Sequence, residues 1–178
     1  MLNPIHLREA TYSDAQTLAY LHTESWRSAY TEVLPAAYLG GHLETERAQV
    51  WRQRMSNQQG RQFTVLAELE REAVGFVHVT FEEEPEHGAL LDNLHVRPHL
   101  KRQGIGRLLL GEAARRVRAL EPGWPMHLWV FSDNLPAQRF YGALGGELAE
   151  AKLKPTPAGT LVSAVRYVWH DLSSLTRV

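Results

Sequence analysis

No cysteine occurs among the 178 residues, which excludes disulfide staples, cysteine nucleophiles and thiolate metal sites. No apolar run approaches the ~18 residues needed to cross a bilayer, and no leader pattern opens the chain. The sequence therefore reads as a cytoplasmic protein with no membrane partner. Neither sign of charge dominates: 19 Lys and Arg stand against 20 Asp and Glu, a net charge of −1. That balance argues against a nucleic-acid partner and makes any phosphate site local. Repeats and linkers rich in Pro, Gly or Ser are absent as well, so residues 1–178 read as a single domain. The nine histidines show no ligand spacing. His95 and His99 stand four apart, but Pro98 prevents the helix such a pair requires, so no metal is expected. A GxSxG nucleophile motif is missing too.

What is present is concentrated between Leu90 and Leu110. Leu90 to Val96 reads as a strand, with Leu90, Asp92, Leu94 and Val96 on one face, and Pro98 ends it. Lys101, Arg102, Gln103, Gly104, Ile105 and Gly106 form a basic glycine loop. A helix follows with Ile105, Leu108, Leu109, Ala113, Val117 and Leu120 as its stripe. Strand, glycine loop and helix make an anion cradle. Backbone N–H groups form a nest, and the helix start adds about half a positive charge.

A P-loop needs GxxxxGK followed by Ser or Thr, which the chain lacks. A dinucleotide fingerprint needs GxGxxG, but Leu109 stands three after Gly106. VRPHLKRQGIG instead resembles the acetyl-CoA pyrophosphate loop of the GNAT acetyltransferase superfamily, with Lys101 where Gln or Arg is usual. NLPAQRFYGALGG resembles that family's later helix, through Asn134, Ala137, Phe140, Tyr141 and Gly145.

In chain order, Ile5 to Ala10 reads as a strand and Ser13 as a helix cap, with Gln16 completing a capping box. Leu18, Leu21, His22 and Trp26 share one side of the helix that follows. Leu34-Pro35 opens a helical turn through Leu39, a helix runs from about Glu44 to Met55, and Gly60 closes this part. Phe63 to Glu68 and Ala73 to Phe81 pair as strands around Leu69 to Glu72. Glu82 to Glu86 is an acidic loop. Met126 to Val130 is a strand parallel to Leu90 to Val96, Asn134 or Asp133 caps the next helix, and Glu147 to Leu153 and Leu161 to Trp169 are the last strands. The order βααβββαβαββ places the chain in the α/β (α+β) class. It implies a mixed, mostly antiparallel sheet of about seven strands flanked by about four helices, as the GNAT resemblance also does.

The resemblance implies an acetyl-CoA-dependent N-acetyltransferase acting on a primary amine, either a small molecule or a protein or peptide N-terminus. The alternative is an acyl-CoA-binding module of the same fold without turnover; a nicotinamide-dependent enzyme is a weaker third reading. It further implies cofactor contacts from Leu94, His95 and Val96 on the strand, from Lys101, Arg102, Gln103, Gly104, Ile105, Gly106 and Arg107 in the loop, and from Asn134 and Ala137. Tyr141 matches the family's general acid, or is an amphipathic core residue. Asn134 is a cap, a cofactor contact or both. The Val96 N–H is the candidate donor to the reacting carbonyl. Asp92 is the first choice of base, or else a salt-bridged edge residue. His95, by alternation, points to the opposite face. Trp26 and Tyr30, with Glu82 and Glu83, are nominated for the acceptor side, where aromatic walls and acids suit a cationic amine. Monomer and homodimer stay open.

Overall fold

A computed structural model describes residues 4–57 and 61–176. Strand β1 (His6–Glu9) is followed by a 3-10 turn, Tyr12–Asp14, and by α1 (Ala15–Ala29). The start signal lies just before the expected Ser13. Asp14 accepts the Thr11 backbone N–H at 2.7 Å, an ionised acceptor that outcompetes a serine hydroxyl. α2 (Ala36–Gly40) and α3 (Leu43–Ser56) complete the helical part. Buried residues follow the expected stripes: Leu18, Leu21 and His22 on α1, Ala48 and Trp51 on α3. Gly60 lies outside the described residues.

β2 (Gln62–Leu69) and β3 (Glu72–Thr80) form a hairpin. Its two turn residues, Glu70 and Arg71, both take positive φ, 53° and 70°, the twist that a two-residue hairpin turn demands. Then come β4 (Ala89–Val96), α4 (Ile105–Leu120), β5 (Met126–Phe131), α5 (Leu135–Ala143), β6 (Glu147–Pro155) and β7 (Leu161–Trp169). The seven strands make one sheet, ordered β1-β2-β3-β4-β5-β7-β6. Among the described residues only β4 and β5 pair in parallel, and α4 is the crossover that a parallel pair requires. The mixed sheet is as expected; α2, opened by Pro35, makes a fifth helix beyond the four.

Both faces of the sheet are covered. On one, Ile105, Leu109, Ala113 and Val117 of α4 pack with Val77, Val79, Leu91 and Leu128, joined by Tyr141 of α5. On the other, Leu18, Ala19 and Leu21 of α1 and Ala48 and Trp51 of α3 lie on Leu66 and Phe76. Leu120, expected in the α4 stripe, ends the helix and is 58% exposed.

One expectation about β4 is corrected. Leu91 pairs with Val79 and Asn93 with His78, so Asp92 is an extra residue, a β-bulge. A bulge shifts the alternation by one and bends the strand. Leu94 and Val96 face α4, together with Ala89 and Leu91. Leu90, opposite Thr80, does not, and the Asp92 carboxylate meets Arg54 of α3 at 2.7 Å. The single face of Leu90, Asp92, Leu94 and Val96 is therefore broken at the bulge.

Candidate active site

The parallel ladder between β4 and β5 holds at only two pairs, Ala89 with Met126 and Leu90 with His127. Beyond them the bulge bends β4 away, while β5 stays bonded to β7 along its whole length. A V-shaped gap opens in the middle of the sheet. The ladder on the other edge of β4 sets what faces it. Arg97 N–H donates to the Val74 carbonyl at 2.9 Å, which makes Val96 and Gly75 a non-hydrogen-bonded pair. The N–H and C=O of Val96 therefore point into the gap, as do those of Leu94. His95 offers the gap neither group: its backbone is turned to β3 opposite Phe76, and its side chain lies on the α1 face. Including it among strand-edge contacts is thus corrected.

At the open end of the gap stands the start of α4. Gly104 is the N-cap at φ 85°, and no side chain caps the helix. The first intrahelical bond of this turn runs from Leu108 N–H to the Gly104 carbonyl at 3.0 Å, so the N–H groups of Ile105, Gly106 and Arg107 lack helical partners. A Cβ built on Gly104 meets nothing within 4 Å, so that side of the loop is open to an approaching group. Lys101, Arg102, Gln103 and Arg107 are exposed around it. An anion fits here for physical reasons: free amides, a helix dipole and loose cations converge.

α5 closes the other side. The Asn134 side chain caps it by accepting the Ala137 N–H at 3.3 Å, and a Cβ on Gly106 would lie 3.3 Å from Phe140. The glycine loop and the run from Asn134 to Gly146 thus lie against each other. Tyr141 is 8% exposed, packed among Phe140, Tyr167 and Trp169. Burial, and then the neighbouring Tyr30, push its hydroxyl pKa well up, so it keeps its proton at neutral pH. Tyr30, just after α1, lies on Phe131 at 4.8 Å between rings; burial raises its hydroxyl pKa, and the nearby Asn134 side chain pulls it back down. Trp26 meets Tyr30 edge-on at 5.7 Å. Both also pack on the small apolar cluster of Leu34, Leu39 and Leu43.

On the α1 side of β4 lies a polar group that periodicity did not reveal. Asp92 accepts from Arg54 and from the Asn93 amide, Asn93 meets His95 Nε2 at 3.3 Å, and His95 Nδ1 meets the Ser25 hydroxyl at 2.9 Å. His95 also stacks on His22, 4.6 Å between centroids. Burial lowers the His22 pKa well below its ordinary value and pushes His95 down to about 3, so both rings are neutral. The one sequence signal was a histidine in the apolar stripe of α1; Ser25, Arg54 and Asn93 left none.

The acidic loop divides. Glu82 and Glu83 are exposed at residue level, and the Glu83 carboxyl pKa is raised, by partial burial first and Asp92 second. Glu84 is instead built in. It accepts from Trp129 Nε1 at 3.1 Å and pairs with Arg166 at 2.8 Å. Arg166, 2% exposed, also reaches Glu150 at 2.8 Å and His127 Nδ1 at 3.1 Å. Among the described residues, no group of three His, Asp or Glu side chains could hold a metal ion, and no helix is long and apolar enough to cross a membrane.

Residues 19–145 match the acetyltransferase (GNAT) family. An uncharacterized N-acetyltransferase of Bacillus subtilis (strain 168), YuaI, is 30% identical over 177 residues, 96% of each chain. The PaiA N-acetyltransferase of Thermoplasma acidophilum, solved with coenzyme A, shares the fold at TM-score 0.70 and 20% identity, over 90% of this chain and 98% of that one. The ribosomal-protein-S18-alanine N-acetyltransferase of Escherichia coli does so at TM-score 0.63 and 22% identity, over 93% and 92%. A splayed parallel pair with an uncapped helix start at its mouth, within a sequence matched over most of its length, is that of an acetyl-transferring, coenzyme A-binding enzyme, and the chain belongs to the GNAT acetyltransferase family.

Proposed function

We propose that the chain transfers acetyl from acetyl-CoA to a primary amine, a small molecule or a peptide N-terminus, by direct attack. The observation that carries this reading is the gap. Backbone groups of Leu94 and Val96 open into it, in line with the uncapped amides of α4. These residues fit the cofactor. The loop from Lys101 to Arg107 would hold its pyrophosphate, Gly104 leaving room for close approach, with Arg102 and Arg107 adding charge. Leu94 and Val96 would hold its amide arm, and Asn134 and Ala137 would flank it at the start of α5.

Bound acetyl-CoA supplies an activated thioester carbonyl, which the amine attacks as CoA leaves. The remaining work falls to side chains and backbone of this chain. Val96 N–H, unpaired in the gap, donates to the carbonyl oxygen, a contribution of roughly 3–4 kcal/mol for one such donor. Tyr141, held protonated by burial, donates to the departing sulfur. Asp92 draws the amine proton, with Glu83 beside it as the attracting charge for a cation. Trp26 and Tyr30 wall the acceptor side.

The test is thermal unfolding with and without acetyl-CoA, then a panel of primary amines assayed by thiol release. At about 100-fold over Kd the cofactor adds ~2.7 kcal/mol, or about 5–10 °C at this length. Turnover with at least one amine is expected. A chain that neither shifts nor releases thiol overturns the reading.

A further inference from the structure

Resting on that reading, the direction of every hydrogen bond in the polar group beside β4 follows from chemistry. Asp92 is a carboxylate and only accepts, and Arg54 only donates. The Asn93 amide nitrogen must therefore face Asp92, which turns its carbonyl oxygen toward His95 Nε2, 3.3 Å away. A carbonyl only accepts, so Nε2 carries the His95 proton and Nδ1 is bare. The 2.9 Å contact from Nδ1 to Ser25 Oγ then has one possible donor, the serine hydroxyl. All the bonds run one way, from Ser25 through His95 and Asn93 to Asp92. With its proton committed, Ser25 Oγ presents only lone pairs to whatever it meets next, polarised by the chain behind it.

We infer that Ser25 is the group that orients the acceptor amine, by accepting an N–H bond from it, and that His95 and Asn93 are positioning residues that lock this polarity and connect the amine to Asp92. Three observations support it. The far end of the chain is fixed, because Asp92 accepts from the Asn93 amide and pairs with Arg54 across the bulge. His95 lies between the two residues whose backbone groups open into the gap. Ser25 precedes Trp26 and lies little more than a helical turn before Tyr30, the nominated acceptor wall. A lone-pair terminus selects an N–H donor and rejects an acceptor that offers only a carbonyl or ether oxygen. An amine oriented by one N–H also has its own lone pair directed away from Ser25, as attack requires.

The experiment uses the fastest amine of the panel above, with kinetics on Ser25→Ala, Ser25→Thr and Asn93→Leu and with acetyl-CoA affinity measured on each. Ser25→Ala is expected to lower kcat/KM for the amine about tenfold, the scale of one lost hydrogen bond of about 1.4 kcal/mol, and to leave acetyl-CoA affinity unchanged. Ser25→Thr should restore most of it, and Asn93→Leu, with Ser25 intact, should show a smaller loss. Unchanged amine kinetics in Ser25→Ala overturn the inference alone. Nitrogen-15 NMR of histidine-labelled wild-type protein, with His95 identified by its loss in His95→Gln, should show a proton on Nε2. A proton on Nδ1 overturns the inference whatever the kinetics. A wild type that binds acetyl-CoA yet acetylates no amine overturns the proposed acceptor class and this inference with it.

Discussion

Tyr30, the residue after α1, has its hydroxyl beside the side chain of Asn134, the cap of α5. The contact joins a helix on one face of the sheet to a helix on the other, past the ends of the splayed strands. Tyr30→Phe keeps the ring on Phe131 and removes the hydroxyl beside Asn134. We expect a loss of about 1 kcal/mol, or ~2–4 °C in thermal midpoint. Asn134→Ala removes the α5 cap as well, at up to about 2 kcal/mol more. The double variant should lose less than the sum; strict additivity would show that the two side chains are not coupled.

Tyr141→Phe leaves the packing against Tyr167 and Trp169 in place and removes the proton donor. Turnover should fall by about 10²-fold or more, with coenzyme A affinity measured by calorimetry within about twofold. Loss of coenzyme binding instead would mark Tyr141 as a structural residue.

Gly104 combines a left-handed backbone with open space. Gly104→Ala should therefore fold, at a strain cost of about 1–2 kcal/mol. Gly104→Trp should lose coenzyme A binding, because its side chain fills the approach to the free amides of α4. Retained affinity in a folded Gly104→Trp variant would move the anion site elsewhere.

Acid should unfold this protein readily. Burial pushes His78 and His127 down to about 4 and His95 to about 3. Between the unfolded value near 6.5 and those folded values, the unfolded chain binds more protons. The stabilisation is therefore complete above pH 6.5 and is lost as pH falls toward 4. A buried histidine held near 4 contributes up to roughly 3 kcal/mol. Denaturant midpoints should drop between pH 7 and pH 5, and His78→Gln should flatten that slope. A pH-independent midpoint would show these rings to be solvated.

Arg166 is almost fully buried between Glu84, Glu150 and His127. Arg166→Met strands two carboxylates beside Trp129, and the expected cost is about 3–5 kcal/mol, a fall of ~10 °C in a calorimetric scan. A fall under ~3 °C would mean that Lys152 and Lys154, which also lie over Trp129, hold the acids unaided.

The glycine loop from Lys101 to Gly106, the run from Asn134 to Tyr141 and the order of elements were legible in the sequence, because each depends on neighbours a few residues apart. The apolar stripes of α1 and α3, the cap at Asn134 and the hairpin between β2 and β3 are of this kind. Tertiary structure alone decided the bulge. Which residue of β4 is left over depends on how β3 pairs with it, and that choice took Asp92 off the face of Leu94 and Val96 and placed it on Arg54. The width of the gap follows from the same bend. So does the meeting of Ser25 with His95, 70 residues apart, and of Glu84 with Arg166. Such contacts carry no periodic signal, since a buried polar chain is specified by hydrogen-bond directions between distant elements, which only the folded sheet brings within reach.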